Sequence, residues 1–251
     1  MSEAWPELAL DDWVDTRETF HLWTQMVGKV QLELRPFLNQ WWEVGLSLTA
    51  RGLSSGLVPA GKRSFQMSFD LVDHQLRVEV AGGEVRSLAL RERSVSDFYA
   101  AFLQALDELD IAVALNPLPS ELADPTPFPQ DSARSAYDAS AIGRWWQVML
   151  SVERVIQRFR TGYTGKSSPV LFYWGGFDST TPASTADPRP ARGRRPDPRL
   201  RRERGELRGG LLAGGARRAL PGDLRLRLPR SRRTRRRRHP PRAGTLRVVA
   251  G

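Results

Sequence analysis

Two hydrophobic periods alternate along the first 174 residues. Phe20, Trp23, Met26 and Val27 recur at the spacing of one helix face, with Asp15 or Thr16 ahead of them as a cap, which predicts a helix over 16–29. The period then shortens to two. Val30, Leu32 and Leu34 alternate with Gln31, Glu33 and Arg35, and Val44, Leu46, Leu48 and Ala50 alternate with Gly45, Ser47, Thr49 and Arg51, so half-buried strands are expected at 30–35 and 44–51. Residues 54–61 read as a Gly/Ser/Pro loop. Phe65, Met67 and Phe69 mark a further strand, and Leu76, Val78 and Val80 another. The Gly82-Gly83 pair predicts a hairpin into a strand over 85–90.

The helical period returns at Ser94. In SVSD, Ser94 is a cap with Asp97 three positions on, ahead of an apolar stripe of Val95, Phe98, Tyr99, Phe102, Leu106 and Leu109. Ile111, Val113 and Leu115 predict a short strand, and the proline- and acid-rich stretch 116–131 a surface loop. A second long helix is expected over 139–160, burying Ile142, Trp146, Met149, Val152, Ile156 and Phe159 and leaving Trp145 the more exposed of its two tryptophans. An apolar strand over 170–174 follows. Hairpin-joined strands with helices set between them predict an α+β fold, a mainly antiparallel sheet covered by helices on one face.

Composition divides the chain. Residues 179–251 hold 22 arginines, no lysine and five acids, a net charge of +17, and residues 1–178 hold 16 basic against 23 acidic residues, a net charge of −7. The high overall isoelectric point thus belongs to the tail, and the domain itself advertises no polyanion partner. After Phe177 there is no Phe, Tyr, Trp, Ile, Met, Asn, Gln or Lys. A stretch so poor in large apolar residues is expected to be a disordered tail. The absence of cysteine excludes disulfides and thiolate chemistry. The acidic N-terminus carries no secretory pattern and no run is apolar enough to span a membrane, so the expectation is a cytoplasmic protein.

Several segments together resemble a bacterial family known only as domain of unknown function 5996: FHLWTQMVGK (20–29), SLTARGL (47–53), FDLVDHQL (69–76), SVSDFY (94–99), AYD (136–138), FRTGYTGKSSPV (159–170) and FYWGGFD (172–178). The resemblance covers about 5–178 in order and implies no activity. It implies histidines where this chain has Gln40 and Leu171 and near Arg134, and a continuation LxxTRFSGRxAP after the last segment. A permitted back-translation of 178–190, read from its third base, spells LDHTRFDGRPAP. Two later family segments appear in a further frame within 211–215 and 224–231. The tail therefore reads as frame-shifted.

Candidate chemistry is sparse. His21, and His74 with Asp70 and Asp73 nearby, suit an acid–base or metal site, or else plain structural histidines. Trp42 and Trp145 suit a pocket wall, or else the core. TGYTGKSS (161–168) lacks the spacing of a phosphate loop, though Arg160 and Lys166 suit a single anion. The run 232–239, RRTRRRRH, is taken as an accident of codons and not as a specific nucleic-acid site. With Arg51, these residues (His21, Trp42, His74, Trp145, Arg160, Lys166) form the candidate pocket between sheet and helices of a small-molecule-binding protein or enzyme. The alternative is a non-enzymatic interaction domain. Convergence of those groups on a cleft favours the first and dispersal the second. The sequence identifies neither cofactor nor metal.

Overall fold

The computed structural model describes residues 6–123, 125–163, 165–181, 183–184, 224–226 and 246–249. Three helices, α1 (Val14–Leu34), α2 (Val95–Asp107) and α3 (Ala139–Thr161), lie on one face of a sheet. Strands β1 (Leu46–Leu48), β2 (Gly52–Ala60), β3 (Arg63–Asp70), β4 (Gln75–Val80) and β5 (Val85–Ala89) run in order. After β6 (Lys166–Ser167), β7 (Leu171–Tyr173) and β8 (Asp178–Thr180) extend the sheet on the far side of β1, so seven antiparallel strands follow the order β8-β7-β1-β2-β3-β4-β5. β6 pairs apart with β9 (Ala183–Ser184). Two short strands, β10 (Leu224–Leu226) and β11 (Leu246–Val249), add beyond β8; β11 pairs with it antiparallel and β10 with β11 parallel. The fold is α+β, as the periodicity predicts.

Strand alternation explains the single core. Leu46, Leu53, Phe65, Met67, Phe69, Leu76, Val78, Val80 and Leu88 are buried, whereas Ser47 and Ser87 are exposed and Gln66, Ser68, Arg77 and Glu79 are half-buried. Between sheet and helices, and between α1 and α2, the packing is aromatic. Phe20 meets Phe69 edge-on, Trp23 stacks on Phe98 with centroids 4.3 Å apart, and Trp145 stacks on Phe177 at 5.2 Å. The Ser94 cap is as read, with Ser94 Oγ accepting from Asp97 N–H at 3.0 Å; α3 has a cap not expected from the sequence, the Asp138 carboxylate accepting from the N–H groups of Ser140 and Ala141.

Several expectations are corrected. Residues 30–34 continue α1 and are not a strand: Leu32, which strand alternation would bury with Val30, is 41% exposed. Pro36 ends the helix by forcing Arg35 into extended geometry (φ −89°, ψ 142°). At its other end, Asp15 and Thr16 lie within the first turn and not at the cap, and Thr16 Oγ instead accepts from Asp138 N–H. Residues 54–60 belong to β2 and not to a loop. A bulge there sets Ser55 and Gly56 against Met67, with Gly56 at φ +64° and Ser55 Oγ accepting the Met67 N–H that the ladder loses. Residues 111–115 join no strand; the alternating burial of Ile111, Val113 and Leu115 arises from an extended segment lying against the core.

The phase expected for α3 fails. Trp145 is fully buried and Trp146 is 4% exposed, because Trp145 packs against Phe20, Phe172 and Phe177 together, and Phe159 is 39% exposed. The stretch 116–131 is a loop, but only partly a surface one, since Phe128 and Asp131 are buried. Most of the expected disordered tail lies outside the described residues. Within them, Ser179 and Thr180 are buried in β8.

At the end of α1, Arg35 reaches across to the sheet. Its guanidinium donates to the carbonyls of Glu43 (2.8 Å), Ser55 (2.5 Å) and Leu57 (2.6 Å), on the side of β2 that the short β1 leaves uncovered.

Candidate functional site

The seven sequence candidates do not converge. Arg51 bridges Asp70 and Asp73, both at 2.6 Å. Asp70 also accepts from the N–H groups of Val72 and Asp73 and so closes the turn after β3. Burial alone would raise the Asp70 carboxyl; the Arg51 bond and the two N–H groups outweigh it and hold its pKa below the usual carboxylate value. The aspartates expected to serve His74 are thereby committed to Arg51. His74, in the left-handed region at φ +48°, is hydrogen-bonded through Nδ1 to Tyr137 Oη at 2.8 Å. Trp145 is core and Trp42 is half-buried. Arg160 bonds Gln157 at the end of α3, and Lys166 falls in β6 with its side chain outside the described residues. No group of three His, Cys, Asp or Glu that could hold a metal occurs among the described residues. A depression of 580 Å³ lies elsewhere, between α2 and residues 111–114, and shares no lining residue with the candidates.

A different polar constellation forms around His21. His21, Gln25 and Lys29 recur at four-residue spacing on α1 and face residue 120 in the loop and the turn at 174–175. Such a row is costly inside a helix buried on almost every side unless its polar groups are bonded. Gln25 accepts from Ser120 N–H (2.7 Å) and donates to Ser120 C=O (2.9 Å), holding one loop residue by both backbone groups. His21 Nε2–H is directed at the carbonyls of Trp174 (2.8 Å) and Gly175 (3.0 Å). Gln25 Nε2 also lies 3.1 Å from the same atom, but two carbonyl acceptors against one amide donor place the proton on Nε2 and leave Nδ1 the lone pair; among the described residues no hydrogen bond reaches Nδ1. Burial pushes the imidazole pKa down, so His21 is neutral at pH 7.

Lys29 closes the row. It is 6% exposed, its ammonium donates to Ser120 Oγ at 3.2 Å, and no carboxylate among the described residues pairs with it. Desolvation lowers its pKa. A hydroxyl beside a desolvated amine is one arrangement of nucleophile and base. Here, however, the N–H of Ser120 is bound by Gln25 and cannot serve the oxyanion of an acyl intermediate. The arrangement suits binding better than acyl transfer. Of its members only His21 stood out in the sequence. The signal for Gln25 and Lys29 was their four-residue spacing from it within an otherwise apolar segment.

The sequence profile of the Family of unknown function (DUF5996) matches residues 5–194, and the chain belongs to that family. The match runs 16 residues beyond position 178, past β8 and β9. No curated protein and no solved structure matches the chain. No described helix is long and apolar enough to cross a membrane.

Proposed function

We propose that the domain is a small-molecule-binding protein whose site is the seam between α1, the 116–131 loop and the 174–177 turn. The observation that carries this reading is Lys29, a lysine left only 6% exposed whose ammonium has one hydroxyl partner among the described residues, in line with a neutral half-buried histidine. A charge held so expensively without a counter-charge serves a ligand more readily than it serves the fold. The site differs from the expected pocket between sheet and helices. Its test is a ligand-observed NMR screen of the full chain against small polar compounds, repeated with Gln25→Leu, which frees Ser120. Hits lost in the variant support the seam; hits unchanged by it place binding elsewhere.

A second reading, a non-enzymatic interaction domain, is favoured by the dispersal of the sequence candidates and by exposed apolar groups. Phe37 and Leu57 are each 66% exposed, Leu38 is 52% exposed, and Phe37 meets Trp41 edge-on at 5.1 Å. Size-exclusion chromatography with light scattering of Phe37→Ser separates the two readings. Loss of an assembly supports the second. As a further proposal, the tail is out of frame, and resequencing of the codons for 178–231 tests it. Recovery of TRF- and FWPG-like segments supports the frameshift, and confirmation of the present frame removes it.

A further inference from the structure

Resting on the seam as a binding site, we infer that its ligand carries a carboxylate or phosphate group, which Lys29 and Ser120 take. An ammonium has three donors, and only one is spent here, on Ser120 Oγ. The remaining two sit in surroundings that leave Lys29 6% exposed. The carboxylate of the neighbouring Glu121 lies against Gly175, with Oε1 2.5 Å from where a Cβ on that glycine would stand. Because Ser120 Oγ accepts from Lys29, its own proton is directed away from the lysine and is free to donate. Two donors, one of them charged, thus face the same vicinity. An oxyanion is the group that satisfies both, and charge-assisted bonds of this kind are about twice as strong as neutral ones. At the open end of the row, Nδ1 of His21 offers an acceptor to a hydroxyl or amine elsewhere on the ligand. The ligand class is therefore a small acid that also bears a hydrogen-bond donor.

The anion is fixed in place by the Gln25 clasp. With both backbone groups of residue 120 bonded to the helix, the hydroxyl is presented at a set height above Lys29, so little ordering remains at the moment of binding.

The test is titration of the full chain with sodium phosphate and, separately, sodium acetate at constant ionic strength, followed by calorimetry and by the Lys29 side-chain NMR signal. The arginine-rich tail attracts anions too, and Lys29→Met, which keeps that tail, isolates the seam. One of the two anions is expected to shift the Lys29 signal, and Lys29→Met is expected to weaken its binding by about tenfold or more. The stronger arm separates phosphate from carboxylate. Should Lys29→Met fail to fold, Ser120→Ala, which retains the backbone clasp, is expected to weaken binding several-fold. Unchanged affinity in these variants, or an unshifted Lys29 signal, overturns the inference. If neutral compounds bind the seam while neither anion does, the anion is wrong and the site stands; if nothing binds there, both fall.

Discussion

Trp174 lies across Gly28 so closely that a Cβ on residue 28 would stand 2.0 Å from the indole nitrogen. The same nitrogen donates to Val44 C=O at 2.9 Å, so helix α1 and the entry to β1 meet on one tryptophan. Gly28→Ala must displace the ring and break that bond, with an expected loss of roughly 1–3 kcal/mol. Denaturant unfolding followed by tryptophan fluorescence measures it. An unchanged midpoint would show that the ring has room to move.

Gln25→Ala should leave both backbone groups of Ser120 without partners, at a cost of about 1–3 kcal/mol. Amide hydrogen exchange reads the effect locally: protection at Ser120 should drop while that of β3 and β4 persists. Equal loss throughout the domain would mean that the clasp is part of the global core.

His21 predicts a pH dependence. Its folded pKa lies below the ordinary 6.5, so between those two values the unfolded chain binds the extra proton. Stability contributed by the neutral ring is therefore complete above pH 6.5 and is lost as pH falls through the folded pKa. Urea unfolding between pH 8 and 5 should show that decline, and His21→Gln should flatten it.

Asp70 acts in a lower window. Its folded pKa lies below the ordinary 3.8, so its contribution is complete above that value and lost as pH falls through the depressed one. Asp70→Ala also forfeits two backbone N–H bonds at the turn, and we expect it to cost about 1–3 kcal/mol at pH 7. The difference in thermal unfolding between variant and parent should be full at pH 7 and narrow progressively as pH falls below 3.8 through the depressed value.

Local chemistry was legible in the sequence and long-range chemistry was not. The Ser94 cap, the glycine hairpin and the strands over 63–89 depend on neighbours within a few residues, and all appear where the periods place them. Residues 30–34 satisfy two periods at once, since Val30 and Leu34 are four apart as well as two steps of two; only Leu32 distinguishes them, by facing outward. β2 was hidden because its Gly and Ser are what a bulge requires, and bulge and loop draw on the same residues. The seam stayed illegible for a different reason: Gln25 meets its partner 95 residues away, and Lys29 meets the same residue 91 away. The candidates His74 and Trp145 looked available because their partners, Tyr137 and Phe177, also lie outside the range of local patterns.

The three carbonyl contacts of Arg35 bear on solubility. Beyond the bulge, residues 57–60 of β2 pair with β3 alone, and such a margin invites another chain to continue the ladder. A guanidinium held on the carbonyls of Leu57 and of Ser55 in the bulge beside it takes positions that an incoming strand's N–H groups would need, and adds a charge that the newcomer must desolvate. The exposed Leu57 would otherwise make this margin adhesive. Arg35→Met keeps much of the stem's apolar contact and removes the plug; it should raise light scattering on mild warming well before the domain unfolds. The helix that carries the candidate ligand groups thus also ends in the residue that keeps the sheet from growing.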